Sequence, residues 1–367
     1  DVERSRGLGD VYKRQDFTPI RLVYENKTYD VFSGDGKYAV AFYEPEREYV
    51  HIALFPGLVG SRIQRSEVWY RLGALQADGS ISWVADWDSV DGIEPYNGLD
   101  NLKVMSLAVD TDGYPFLLVG GFIYQSGASR KIVITYSRYN NGTFSPAAYK
   151  TIYSTYDPLC ADITRLKEKR MLAVVSYFDA NNYRLTSYVF DGAGTWSSSG
   201  ILPSSSSPYV LGQSLSLASY ENTAVLSYLH SDGIYIHKYV YGEGWSAACV
   251  ISENFDTESY PAITLMNSTL AEVFWGYGSI IYRAEYDCTS NSVANSTAIY
   301  GQESLDETSL NAMEYRVNDH AGLLYVHQVD VDSAKVHLLF YPYASAQRTM
   351  PPQFIPVSYT HLTLPTN

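Results

Sequence analysis

The sequence predicts an all-β protein, a β-propeller of six four-stranded blades, and three observations carry that expectation. Tyr is abundant, with 34 residues against 13 Phe and 6 Trp in 367. Aromatic and β-branched side chains suit pleated, half-buried surfaces. Similar segments recur about every fifty residues: an apolar run, a short polar turn, then an alternating Tyr-rich run. Lastly, no stretch sustains apolar residues at i, i+3, i+4 and i+7, and neither dinucleotide-binding nor P-loop glycine patterns occur, which excludes an α/β nucleotide-binding enzyme.

The repeat sets the elements in order. Ile52, Leu118, Val174, Val225, Val273 and Leu324 are equivalent points, separated by 66, 56, 51, 48 and 51 residues. The widest gap holds an insertion, PGLVGSRIQRS at 56–66. In the clearest copy QSLSLAS (213–219) is strand A, TAVLSYL (223–229) B, IYIHKYVY (234–241) C and WSAACVI (245–251) D. Strands this short, spaced by Gly, Asn, Asp and Ser turns, form an all-β array. A four-stranded unit that cannot close its own core reads as one propeller blade. Strand A falls near 37–43, 104–110, 159–165, 213–219, 260–266 and 309–316. The sixth copy shows no evident D strand, and TPIRLVY (18–24) or YDVFS (29–33) is expected to pair with it and latch the ring. A seven-bladed parent that lost strands is the alternative.

Residues 1–15 and 357–367 break the strand rhythm and resemble translated sequencing-adapter read-through of metagenomic origin, so 16–356 is read as one propeller domain. Cys160, Cys249 and Cys288 are too few and too scattered for a disulfide framework, and are read as small apolar residues with a Cys249–Cys288 bridge as the alternative.

The chain carries 26 Lys+Arg against 40 Asp+Glu, a net charge of −14. This balance disfavours nonspecific binding to nucleic acid or anionic membrane. No apolar run approaches the roughly 20 residues of a membrane helix.

Turns between strands C and D repeat a pattern: Asp78-Gly79 with Trp83, Asn141-Gly142 with Phe144, Asp191-Gly192 with Trp196, and Glu243-Gly244-Trp245. Asp or Asn with Gly makes a tight turn, and the aromatic then starts the outer strand. The pattern resembles the Asp-box of sialidase-like, BNR-repeat propellers, Ser-x-Asp-x-Gly-x-x-Trp. Here the Ser is missing and Trp follows Asp by five residues at 78–83 and 191–196. The stretch DNLKVMSLAVDTDGYPFLL (100–118) resembles an inner-strand element of secreted BNR-type polysaccharide-degrading propellers, with Asn101 where those families often carry a His. The DTDG at 110–113 reads as an A–B hairpin turn, with a calcium loop as the alternative; otherwise no cofactor and no metal site is expected.

In such a fold the B–C and D–A loops share one face around the channel mouth. Candidates for substrate binding there are Arg130, Asn101, Asp157, His230, Tyr260 and Tyr277, with Arg165 and Arg316 on inner strands. Aromatic faces stack on sugar C–H groups while carboxylates and Arg hydrogen-bond hydroxyls or a carboxylate. Candidate catalytic residues are Glu314, Tyr315 and Asp100. The resemblance implies a Tyr activated by a Glu, but adjacent strand residues point to opposite faces, so Glu314 and Tyr315 cannot enter the channel side by side. The expected function is a secreted propeller, extracellular or on the cell surface and monomeric, that binds or cleaves glycans, acidic ones among them, as a hydrolase or lyase. The alternative is a non-catalytic scaffold for a surface protein.

Overall fold

The computed structural model describes residues 20–24, 27–32, 38–44, 46–55, 69–76, 81–84, 88–89, 99–125, 128–137, 157–179, 182–201, 210–255, 261–278, 280–294, 296–301, 310–312, 320–330, 333–342 and 353–355. All described regular structure is β. A hairpin of β1 (Ile20–Tyr24) and β2 (Lys27–Phe32) precedes six consecutive antiparallel sheets. Blade 1 is β3 (Tyr38–Glu44), β4 (Tyr49–Phe55), β5 (Trp69–Leu75), β6 (Ile81–Trp83) and β7 (Asp88–Ser89). Blade 2 is β8 (Leu99–Val109), β9 (Pro115–Gln125) and β10 (Ala128–Ser137). Blade 3 is β11 (Asp157–Arg165), β12 (Met171–Asp179), β13 (Asn182–Phe190) and β14 (Trp196–Ile201). Blade 4 is β15 (Val210–Tyr220), β16 (Thr223–His230), β17 (Gly233–Val240), β18 (Gly244–Trp245) and β19 (Cys249–Ser252). Blade 5 is β20 (Ala262–Asn267), β21 (Leu270–Tyr277), β22 (Ile280–Asp287), β23 (Ser292–Val293) and β24 (Thr297–Gly301). Blade 6 is β25 (Leu310–Ala312), β26 (His320–Asp330), β27 (Ser333–Pro342) and β28 (Gln353–Ile355).

The chain is thus an all-β propeller of six blades, and no seventh set of blade strands exists among the described residues. Two expectations need correction. Blade 6 does own a fourth strand, β28, and β1 pairs with β2 rather than latching onto blade 6. In blades 1, 4 and 5 the outer strand is broken into two short pieces that share one neighbour, as β18 and β19 share β17.

The chain divides into two compact units, with the boundary inside the third sheet: Asn181–Tyr188 and everything from Ser198 belong to the second unit. Within the first, β3 lies against β8 and β8 against β11; within the second, β15 lies against β20 and β20 against β25. First strand against first strand is the inner-strand arrangement of neighbouring propeller blades. A recurring clip joins them. The Ile163 amide donates to Ser106 Oγ at 3.3 Å, and the Ile263 amide donates to Ser216 Oγ at 3.2 Å. Both serines stand in the same Ser-Leu-Ala segment of their repeats. Ser216→Ala is expected to lower stability by about 1–2 kcal/mol, because it orphans a part-buried amide donor. Urea unfolding measures this, and an unchanged midpoint would refute the clip.

Strand B is buried along its whole length in blade 4: every residue of TAVLSYLH is buried. Burial along the whole strand fits its mainly apolar sequence, whereas β17 leaves Tyr235, Lys238 and Val240 partly exposed. Between blades 4 and 5, Val225, Leu229, Ile234 and Ile236 pack with Ala271, Val273, Trp275, Ala284 and Tyr286. Each large aliphatic side chain so buried contributes about 1.5–3 kcal/mol. In the first unit Trp196, Phe190 and Phe116 form a trio with centroids 5.0–6.4 Å apart.

Asp191 shows why that turn forms. Its Oδ1 accepts the amides of Ala193 and Thr195, and its own amide donates to the Thr195 carbonyl. Gly192 is required at φ 81°, since a Cβ there would sit 2.6 Å from the Glu168 carbonyl oxygen. The A–B turn at Asp110 has the same wiring: Oδ1 accepts from Asp112 and Tyr114, and the Asp110 amide donates to the Tyr114 carbonyl. Their acidities diverge with burial. Desolvation pushes the buried Asp110 carboxyl up despite those amides. At exposed Asp191 desolvation is outweighed by the Thr195 and Ala193 amides, which hold it below the usual range. No group of three or more His, Cys, Asp or Glu able to hold a metal ion occurs among the described residues. The three cysteines are free thiols, so the Cys249–Cys288 bridge is not formed.

Candidate functional site

Strand order places the B–C turns at one end of each sheet and the A–B turns at the other. Among the described residues the best-defined B–C end belongs to blade 4, where His230, Ser231 and Asp232 link β16 to β17. The His230 Nδ1–H donates to Asp232 Oδ1, and the Tyr235 hydroxyl lies close enough for this carboxylate to act on it. His230 beside it holds the Asp232 carboxyl below its ordinary range, even though the residue is 63% exposed. The Tyr235 hydroxyl is raised, by desolvation first, then by Asp232, with Glu253 a further nearby charge. Gly233 is obligatory here, because a Cβ would meet the Ser252 carbonyl oxygen at 2.8 Å. The turn therefore presents an ionised carboxylate in a fixed orientation beside an aromatic ring.

That ring heads a ladder running down one face of blade 4. Tyr228 stands opposite Tyr235 in the register, and their rings stack at 5.9 Å with a 23° tilt; His230 lies 4.9 Å from Tyr235. Tyr228 stacks in turn on His237 at 5.7 Å and 8°. The His237 Nδ1–H donates to the Ser246 carbonyl and Nε2 accepts from the Tyr228 hydroxyl, both at 3.1 Å, which assigns the tautomer. Burial lowers the His237 pKa, so the ring stays neutral. Trp245 ends the ladder, 5.1 Å from Tyr239, with its indole N–H donating to Ser187 Oγ at 2.8 Å. The ladder braces Tyr235 from below with aromatic and hydrogen-bond contacts.

Other predicted residues fall as follows. Tyr277 ends β21 at the B–C end of blade 5, 39% exposed, 6.4 Å from Tyr282. Asp100 and Asn101 lie at the start of β8, Asp157 starts β11, and Arg130 lies near the start of β10; all four are at the B–C and D–A end of their sheets, and their side chains lie outside the described residues. The backbone is irregular there. The β8 register slips between Leu99 and Asn101, β11 slips between Pro158 and Cys160, and β15 slips between Val210 and Leu215. Bulges re-aim side chains and gather next to binding sites. Glu314, Tyr315, Arg316 and Tyr260 lie outside the described residues.

Arg165 lies on an inner strand, as expected. It closes β11 at the A–B end, where its guanidinium grips the Glu46 carboxylate through two contacts, at 2.5 and 3.2 Å. Desolvation would raise Glu46, but Arg165 outweighs it and lowers that carboxyl. Sequence reasoning missed Tyr235 and Tyr228. The alternation of Tyr235, His237 and Tyr239 was the available signal for a one-faced ladder.

A second polar feature lies at the opposite end of blade 5. An open cleft of about 580 Å³ is lined by Thr269, Thr289, Ser292, Glu285 and Asp287, among others. Behind it Arg283 donates to the buried Glu272 and, at 2.5 Å, to Glu285. This is an internal ion network of the sheet.

No protein family and no curated protein matches this sequence. Solved structures do resemble it. A protein of unknown function from Dyadobacter fermentans aligns with a TM-score of 0.51 at 13% identity, over 88% of this chain and 98% of that one. AofleA from Arthrobotrys oligospora aligns with a TM-score of 0.51 at 12% identity, over 89% and 86% of the two chains. A polysaccharide lyase, ulvan lyase, aligns with a TM-score of 0.52 at 9% identity, over 84% and 79%. At these identities the likeness is one of fold. No described helix is long and apolar enough to cross a membrane.

Proposed function

We propose that this propeller is a glycan-binding protein whose binding edge is the B–C end of blades 4 and 5. The observation that carries the reading is the Asp232 carboxylate, exposed yet pinned by His230 beside the braced ring of Tyr235. A pyranose presents C–H groups to a ring and hydroxyl donors to a carboxylate, and this edge offers both partners. Tyr277 on the next blade supplies an exposed ring beside the half-buried Tyr235. The slipped inner strand of blade 4 and the Asp-box-like wiring of the C–D turn at Asp191 support this reading. Such a protein works outside the cell or on its surface. Cleavage of the bound glycan, by hydrolysis or elimination, would be a separate property.

The test is a broad glycan array read with the wild-type chain, Asp232→Ala and Tyr235→Ala, each first checked for an unchanged melting curve. Losing hydrogen bonds to a charged acceptor removes about 1.5–3 kcal/mol, so Asp232→Ala should bind at least tenfold more weakly, and Tyr235→Ala, which removes the ring, should weaken binding as well. A silent array with the wild type, or variants that bind like it, would reject this edge. Release of reducing or unsaturated ends during incubation would establish cleavage.

A further inference from the structure

The negative charge of this chain is concentrated in one stretch. Residues 185–315 hold two cations, Lys238 and Arg283, against 14 carboxylates, a local net charge of −12 within the −14 of the whole chain. The stretch lies between Arg184 and Arg316; within it blades 4 and 5, residues 210–301, carry the proposed binding edge and hold both cations against nine carboxylates, a net charge of −7. Both cations are committed inside the sheets. Lys238 Nζ donates to the Cys288 carbonyl at 2.6 Å. Arg283 is buried and held between Glu272 and Glu285. Neither can reach a ligand at the B–C turn without leaving a buried partner behind.

We infer that the glycan taken at this edge is neutral, a hydroxyl-rich oligosaccharide without carboxylate or sulfate groups. The inference rests on the binding edge proposed above and adds its ligand class. Recognition of a sugar carboxylate or sulfate relies on Arg, Lys or clustered N–H donors. Here the contacting groups are the Asp232 carboxylate and the Tyr235 ring, with Glu253 close enough to raise the tyrosine hydroxyl. An anionic ligand would set like charges side by side, an arrangement that rejects partners. A neutral sugar meets no such penalty and donates its hydroxyls to Asp232. The ulvan lyase of similar fold was solved with -[GlcA(1-4)Rha3S]- bound, a ligand bearing uronate and sulfate. This sector's chemistry is opposite to what such a ligand needs.

The experiment compares matched oligosaccharides of equal length, oligogalactosides against oligogalacturonates, by titration calorimetry with the full chain in EDTA. At physiological ionic strength the screening length is about 8 Å, so contacting charges still act. The expected result is binding of the neutral series at least tenfold tighter than the acidic series, with the gap narrowing as NaCl is raised and in Glu253→Gln. Equal or tighter binding of the acidic series overturns the inference and leaves the glycan reading intact. Acidic binding that appears only when calcium replaces EDTA overturns it as well, since a bridging cation would then set the preference. Binding to neither series, nor to any member of a broad array, rejects the binding edge and this inference with it.

Discussion

Arg283→Leu is expected to lower the stability of the chain by about 3–5 kcal/mol at pH 8, the loss characteristic of removing one member of a buried ion network. Glu272 stands directly opposite Glu285 in the register of β21 and β22, and Arg283 bridges the two carboxylates from β22. Like charges placed opposite one another across a strand pair repel, so the guanidinium is what makes the pairing tolerable. Glu272 is wholly buried and Arg283 nearly so. Without Arg283, Glu272 must remain charged in an apolar setting or take up a proton. The double variant Arg283→Leu/Glu272→Leu should recover most of the loss, because well-packed apolar replacements of a buried pair are often neutral or stabilising. Chemical denaturation at pH 8 measures both. A loss below about 1 kcal/mol for the single variant, or no recovery in the double, would mean that the network does not act as a unit.

That network was not legible in the sequence, and the reason is register. Glu272, Arg283 and Glu285 read as ordinary alternating polar positions until β21 and β22 are paired, at which point they share one face. The Tyr228–Tyr235 stack was hidden in the same way. What a single strand can encode was legible. Six inner strands were placed from the fifty-residue period, and β8, β11, β15 and β20 lie where apolar spacing puts them. The apolar segment at 223–229 was placed as strand B, and β16 is that strand, buried along its length. Short elements escaped: β28 is three residues long, too brief for a period to show. Arg165 was offered as a binding residue on an inner strand, and its place at the last position of β11, just before the A–B turn, sets it at the far end from the B–C turns. Blade-to-blade clips such as Ser216 to Ile263 join residues nearly fifty positions apart and need the neighbouring repeat to be seen at all.

Glu272→Gln is expected to act in the opposite direction at neutral and alkaline pH. Burial raises the Glu272 carboxyl from 4.5 to about 7 in spite of Arg283, and one of its oxygens, Oε2, is buried without a hydrogen-bond partner. A carboxyl whose folded pKa lies above its unfolded value holds more protons folded than unfolded between the two. Its contribution is therefore fully present below pH 4.5 and is lost as pH rises through about 7. A shift of that size corresponds to roughly 3 kcal/mol. Gln keeps an acceptor for Arg283, removes the desolvated charge, and offers its amide N–H toward Glu285 across the strand pair. The variant should match the wild type near pH 4.5 and exceed it by up to about 3 kcal/mol at pH 8. Other titrating groups are common to both proteins, so the difference between their two stability curves isolates this carboxyl. A difference that stays flat across that window, or a variant less stable than wild type at pH 8, would show that Glu272 is ionised throughout and that Arg283 compensates its burial in full.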